Sequence, residues 1–292
     1  MIGGTVPHAL IGIIGGTGLE QIENLTDVHS IEVDTPYGKP SGVIVIGKLR
    51  EITIAFLSRH GRGHVLSPSE IPARANIWAL KSLGVERIIS VSAVGSLRQE
   101  IAPLDLVIPD QLIDWTRGRS TSFFGEGIVA HVSLADPFCP VMQKVLVDGC
   151  RAAGANVHEG GTYIVMEGPQ FSTRAESFLY QSWGASIIGM TALPEAKLAR
   201  EAEICYATLA CATDYDCWHE NYESVSVELV VTNLLKNVAL SKEIVKESVQ
   251  IIPEDRLCGC GAALKDAIVT APDYIPDQRL EQLGLILGNY SS

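Results

Sequence analysis

Between Ile204 and Asp214 the chain carries no charged side chain. The apolar run over 204–212 includes Cys, Tyr, Thr and Leu. A run of that length and make-up reads as a strand of a mostly parallel sheet, buried on both faces. Such a strand ends in polar residues where it opens into a ligand crevice, and this one ends in Asp214-Tyr215-Asp216. Two carboxylates spaced i, i+2 on an extended backbone project to the same side. Like charges in a cleft repel, so one of the two is expected to hold its proton to a raised pKa. The same residues also suit a solvated Asp-rich turn after a strand.

The rest of the chain repeats this pattern. Short apolar runs alternate with helical periodicity, which predicts βαβ connectivity and one α/β domain: a central twisted, mostly parallel mixed sheet flanked by helices. Runs over 9–14 and 52–57 end at Gly15-Gly16-Thr17-Gly18 and Ser58-Arg59-His60-Gly61. A helix is expected over 72–83, with Gly84 following it. Further strands over 87–91, 105–109, 162–166 and 186–190 lead into Ser92-Ala93, Pro109, Glu167 and Thr191, and a long amphipathic helix covers 225–250. Strand ends rich in Gly, Ser, Thr, Arg and His face one crevice in an open α/β sheet. Turn chemistry explains the glycines but not Arg59, His60 or Thr191.

Composition narrows the function. A chain of 292 residues with 47% hydrophobic and 19% charged residues buries a sizeable core. Its formal net charge of -12 argues against nucleic acid or an anionic membrane as partner. No apolar stretch reaches the roughly 18 residues of a membrane span, and no basic segment precedes the first apolar run, so no signal peptide is expected. Seven cysteines, an odd number spread through core segments, suggest a reduced, intracellular protein. Cys258-Gly-Cys260 would need two further ligands to hold a metal, and none follows at zinc-finger spacing. These two are read as ordinary thiols, a disulfide being the alternative in a thermophile, and no metal site is expected.

Gly15-Gly16-Thr17-Gly18 fails the dinucleotide fingerprint, because Gln21 stands where the third glycine belongs. What remains is a loop whose backbone N–H groups and Thr17 hydroxyl suit a small anion. Arg59 offers a bidentate fork and His60 a further donor. Ser92, the Ala93 N–H and Thr191 add neutral donors from other strand ends, and together these make an orthophosphate site.

The ordered segments Gly12-Ile-Ile-Gly-Gly-Thr-Gly-Leu19, Arg59-His-Gly61, Asn76-Ile-Trp-Ala-Leu80, Glu167-Gly-Pro-Gln-Phe-Ser172, Gly189-Met-Thr191, Pro194-Glu195 and Thr213-Asp-Tyr-Asp-Cys-Trp218 resemble the 5′-methylthioadenosine phosphorylase branch of the trimeric purine nucleoside phosphorylase family. The resemblance covers about residues 11–270. It implies a purine nucleoside phosphorylase-like fold over 1–292 and a cytoplasmic homotrimer, or a dimer of trimers, in which segment 251–292 packs on a neighbouring subunit. It implies cleavage of methylthioadenosine by phosphate, which is a co-substrate, with no cofactor or metal. Phosphate would be held by Thr17, Arg59, His60, Ser92, Ala93 and Thr191. Met190 would line the ribose, Phe171 and Ser172 would border the base, and His131, Val227 and Val230 would surround the methylthio group. Asp214 and Asp216 would face the purine.

Adenine leaves as a neutral base only if N7 is protonated, which calls for a general acid. Asp214 is assigned that role, with Asp216 accepting from the 6-amino group. Two carboxylates at these positions favour 6-amino over 6-oxo purines. A broader purine nucleoside or methylthioinosine phosphorylase is the alternative of the same class. A sensor module without turnover is the alternative of another class, and it needs no acid beside an anion site.

Overall fold

The computed structural model describes residues 8–16, 19, 21–219 and 227–290; the side chains of 227, 229, 230, 234 and 289 lie outside that description. The elements run β1 (Ile11–Gly15), β2 (Leu25–Ile31), β3 (Ile44–Leu49), β4 (Ile52–Ser58), α1 (Ala73–Ser82), β5 (Arg87–Ser96), β6 (Leu106–Ile108), β7 (Gln111–Trp115) and α2 (Pro140–Ala152). There follow β8 (Val157–Glu159), β9 (Thr162–Met166), α3 (Arg174–Ser182), β10 (Ala185–Gly189), α4 (Glu195–Glu201), β11 (Cys205–Asp214), α5 (Val227–Ile251) and α6 (Asp277–Leu287).

All eleven strands among the described residues join one mixed sheet, in the order β2-β3-β4-β1-β5-β10-β9-β7, with β11 and then β6 and β8 branching from β5. Six of the ten described pairings are parallel. The four antiparallel ones are β2 with β3, β3 with β4, β10 with β5, and β11 with β6. The branch follows from the length of β5. One of its edges pairs with β11 from Arg87 to Gly95, and the other pairs first with β1 over Arg87–Ser90 and then with β10 at Gly95 and Ser96.

Every residue of β11 is buried. Tyr206, Ala210 and Ala212 face one core; Cys205, Ala207, Leu209 and Cys211 face the other. The first core holds α1, α4 and α6, through Ile77, Leu80, Leu198, Leu283 and Ile286. The second holds α2 and α5, through Met142, Leu146, Ile244 and Val245. A strand between two apolar layers must be apolar on both faces, which is why 204–212 is uncharged. Each large aliphatic side chain so buried contributes roughly 1.5–3 kcal/mol.

The expected helix over 72–83 is α1, and Gly84 follows it with φ +85°, a conformation that favours glycine. β5 runs five residues beyond the expected 87–91, because ladders to β11 and β10 continue through Ser92–Ser96, where composition reads as a turn. β2, β7 and β8 lack an apolar run, since they lie at or near the sheet margins and are largely half-buried or exposed. Segment 251–292 buries Leu264, Leu283, Ile286 and Leu287 in its own chain's core. These apolar residues complete the layer over α1.

Candidate active site

Register brings the strand ends together. Gly15 of β1 lies opposite Ser58 of β4, so Gly16 and Arg59 leave the sheet side by side. Ile14 lies opposite Ser90, which sets the end of β1 beside the stretch of β5 that leads to Ser92. β10 runs back along β5, with Ile187 opposite Ser96 and Ile188 opposite Gly95. Continued at the same register, Thr191 reaches Ser92, and its hydroxyl donates to Ser92 Oγ at 3.0 Å. The Ser92 hydroxyl hydrogen is left for a third partner, and Ala93 is half-buried beside it. Thr17 lies outside the described residues.

Arg59 does not present the open bidentate fork expected of it. It is buried, and its Nε–Nη2 edge grips Glu195 at 2.5 and 3.1 Å. Nη2 also donates to Ser90 Oγ at 2.7 Å, and Nη1 donates to the Val91 carbonyl at 2.9 Å. One Nη1–H remains for an anion. Glu195 is in turn held by the Tyr206 hydroxyl at 2.9 Å, so the pair is oriented on both sides. A buried guanidinium needs such a carboxylate, because an uncompensated buried charge is far costlier than a paired one.

His60 also differs from expectation. Its Nδ1 lies 2.8 Å from the Leu66 carbonyl, which fixes the hydrogen on Nδ1 in the neutral ring. Burial, helped by the nearby Arg59 and the stacked His64, pushes its pKa down to about 4. A second donation, from Nε2, therefore requires a charged imidazolium, which only a neighbouring anion would favour.

The carboxylate pair sits at the other end of the crevice. In β11 the register slips at Thr213, so that Ala212 faces Val94 and Asp214 faces Gly95. Asn233 and Asn237 of α5 hold this bulge, donating to the Thr213 carbonyl at 2.7 Å and the Ala212 carbonyl at 3.3 Å. The Thr213 hydroxyl donates to Asp214 Oδ2 at 2.6 Å. A Cβ on Gly95 would stand 3.0 Å from Asp214 Oδ1 and 3.4 Å from the Asp216 Cβ, so the bare glycine makes room for both.

The two carboxylates do not share one face of an extended strand. The strand ends at Asp214, and Asp216 turns with φ +51°, its N–H donating to Asp214 Oδ1 at 2.8 Å. The solvated-turn alternative fails as well, since Asp214 is 4% and Asp216 7% exposed. Burial is the largest cause raising both pKa values; hydrogen bonds from Thr213 and the Asp216 N–H oppose it at Asp214, while the Asp214 charge adds to it at Asp216. The Trp218 indole N–H, donating to the Ser96 carbonyl at 2.8 Å, pins the turn to the end of β5. Gly95 is three residues past Ser92, so the carboxylates and the hydroxyl pair are separated by about 10 Å along β5.

Loop 167–172 and residues 189–191 close the side between these ends. Cys217 Sγ donates to the Ser172 carbonyl at 3.3 Å, which joins that loop to the carboxylate turn. Gly168, at φ +70°, packs its bare Cα against Met190. Phe171, in this loop, is exposed. Arg119 had no expected role, yet its side chain is buried and clamps this wall. Its guanidinium donates to the carbonyls of Met190, Leu193 and Glu167 at 2.7, 2.7 and 2.6 Å, and to Glu167 Oε2 at 3.1 Å. Arg119, Asn233 and Asn237 gave no sequence signal, since lone polar residues in a loop or a helix read as surface.

Among the described residues, the contacts of His131 run to segment 267–270. The residue is exposed, and its backbone N–H donates to the Ala267 carbonyl at 2.8 Å. Val227 and Val230 begin α5, but their side chains lie outside the described residues.

The sequence profile of the phosphorylase superfamily matches residues 10–250. The chain is 55% identical over 282 residues to an S-methyl-5′-thioadenosine phosphorylase of Geobacter sulfurreducens, covering 96% of this chain and 99% of the relative. Its structure is similar to that of a methylthioadenosine phosphorylase sourced from an antarctic soil metagenomic library, with a TM-score of 0.92, 50% identity, and 96% and 99% of the two chains covered. It is also similar to a methylthioadenosine phosphorylase from Schistosoma mansoni in complex with adenine, with a TM-score of 0.84, 35% identity, and 89% and 98% covered.

Proposed function

The chain belongs to the phosphorylase superfamily, and from that premise we infer that it cleaves S-methyl-5′-thioadenosine with phosphate, giving adenine and 5-methylthioribose 1-phosphate. The observation that carries this is the pairing of two unlike ends across β5. An anion end is built from Arg59, Ser92 and Thr191, and a purine end from two buried carboxylates about 10 Å away.

The chemistry follows from those ends. Phosphate, held by the loop at Gly16 and Thr17, the free Nη1–H of Arg59, His60, Ser92, the Ala93 N–H and Thr191, attacks C1′ of the ribose. The C1′–N9 bond lengthens first, and positive charge develops on the sugar. The phosphate dianion beneath it stabilises that charge. Asp214, whose pKa burial raises, gives its proton to N7, so adenine departs uncharged. Asp216 accepts from the 6-amino group. The proton that phosphate loses on becoming an ester balances the one adenine gains, and the chemistry needs no group beyond phosphate itself.

Phe171 and Ser172 border the base and Met190 the ribose, with Arg119 holding that wall. His131, Val227 and Val230 are assigned to the methylthio group, the two valine side chains lying outside the described residues. His131 is tied to 267–270 by the Ala130–Ile268 bridge, and on this reading its exposed ring serves a neighbouring subunit's pocket. Oligomerisation is supported by the exposed apolar side chains of Trp115, Phe178, Leu179 and Trp183, the two indoles being in edge contact. A homotrimer of 31.4 kDa chains, acting in purine and methionine salvage in the cytoplasm, fits these features.

Incubation with methylthioadenosine or inosine, with and without phosphate, tests the reading. Adenine is expected only when phosphate is present, and inosine is expected to be poorly cleaved. Base release that ignores phosphate would establish a hydrolase instead.

A further inference from the structure

Far from the crevice, four cysteines meet that the sequence scatters over more than a hundred residues. The sulfurs of Cys139, Cys205, Cys258 and Cys260 all lie within 4.8 Å of one another. Cys139 is the N-cap of α2, Cys205 opens β11, and Cys258 and Cys260 flank the first residue of the turn over Gly259–Ala262. All four are free thiols, and three of them are buried. No partner for Cys258 and Cys260 lies at zinc-finger spacing in the sequence; the fold brings Cys139 from a helix start and Cys205 from a strand start beside them.

We propose that these four cysteines hold a single tetrahedral zinc-class divalent ion. A zinc–sulfur bond of about 2.3 Å sets sulfur–sulfur edges of about 3.8 Å in a tetrahedron. Cys205 Sγ lies 3.3 Å from Cys258 Sγ and no two of the four sulfurs are more than 4.8 Å apart, so the cluster brackets that size. A disulfide joins sulfurs in pairs, whereas here each sulfur lies within reach of the other three. Binding is a matter of protons only. Four thiols release four protons, no electron is transferred, and the filled site carries a charge of about −2.

The surroundings suit that charge. The Arg256 guanidinium lies 3.7 Å from Cys205 Sγ, and its buried Nε has no hydrogen-bond partner. Cys139 caps a thirteen-residue helix, whose N-terminal N–H groups favour a thiolate. The geometry is also held from outside the cluster. Arg256 donates to the Glu203 carbonyl at 2.5 Å, the Leu264 N–H to Glu203 Oε1 at 3.0 Å, and the Cys139 N–H to the Tyr206 carbonyl at 2.8 Å. Cys205 and Asp214 lie at opposite ends of β11, about 30 Å apart. The ion's role is therefore to staple α2 and the C-terminal segment to the sheet, not to take part in turnover.

The test uses the full chain purified under reducing conditions without a metal-affinity step. Elemental analysis should find about one zinc per chain. Cobalt(II) added after chelation should give intense visible bands and thiolate-to-cobalt charge transfer. C258S/C260S should lose both the metal and the cobalt spectrum, melt at a lower temperature, and keep the turnover of the parent at low temperature. Metal-free native protein whose reduced form takes up neither zinc nor cobalt would overturn the proposal. Disulfides within the cluster in reductively prepared protein, found by non-reducing peptide mapping, would also overturn it. Should the double variant fail to fold, the cobalt titration of the unaltered chain decides.

Discussion

Replacing Asp214 by Asn separates the proton from the shape of the site. The carboxylate accepts from the Asp216 N–H at Oδ1 and from the Thr213 hydroxyl at Oδ2. An Asn keeps its oxygen toward Asp216. Its amide N–H₂ then faces Thr213, whose hydroxyl can accept and turn its own hydrogen to the Val94 carbonyl 3.2 Å away. Both contacts survive, so stability should change by no more than about 1 kcal/mol. The acid, however, is gone. A positioned general acid contributes about 10²–10⁴ in rate, or about 2.7–5.5 kcal/mol of barrier. The assay is release of adenine from methylthioadenosine at saturating phosphate across pH. The wild-type rate should fall as pH rises through the raised pKa of Asp214, while D214N should be slow and flat there. Inosine turnover should hold or rise, since an amide can donate to a 6-carbonyl. D214N with more than about a tenth of wild-type turnover, or with equal loss on both nucleosides, would refute the reasoning.

Other perturbations probe the remaining groups. Glu195→Ala leaves the buried Arg59 without its carboxylate and should cost about 3–5 kcal/mol in chemical denaturation; E195Q, which keeps an acceptor, should cost less and raise the KM for phosphate. Phosphate binding should draw a proton onto His60 in the range above about 4, read by calorimetry in buffers of different ionisation heat, and H60Q should abolish the uptake. The raised pKa of buried Asp214 means the folded state holds that proton more tightly than the unfolded chain. Its contribution to stability is thus present at low pH and lost as pH climbs from 3.8 toward the folded value. D214N should therefore gain stability relative to wild type over that interval, seen in denaturant midpoints. Asn233→Leu leaves the Thr213 carbonyl unpaired and should lower kcat more than it raises the KM for phosphate.

β11 was legible as a strand because burial on both faces demands an unbroken uncharged run, and 204–212 supplies one. The gathering of Gly15, Arg59, Ser92 and Thr191 at strand ends was legible for the same reason: apolar runs show where the sheet stops, and polar residues just beyond them have nowhere to go but a crevice. The ordered motifs also pointed to the family. Tertiary structure alone decided what those residues do to one another. The Arg59 fork meets Glu195, 136 positions away, and not an open anion site. Asp216 leaves the extended path because the bulge at Thr213 is held by asparagines on a helix that follows it. Arg119 finds its carbonyls only after loop 167–172 folds over Met190. The four cysteines meet because a helix start, a strand start and a terminal turn share one corner of the sheet. Local sequence carries burial and period, while ion pairs, bulges and ligand clusters depend on register between distant segments, which no local pattern specifies.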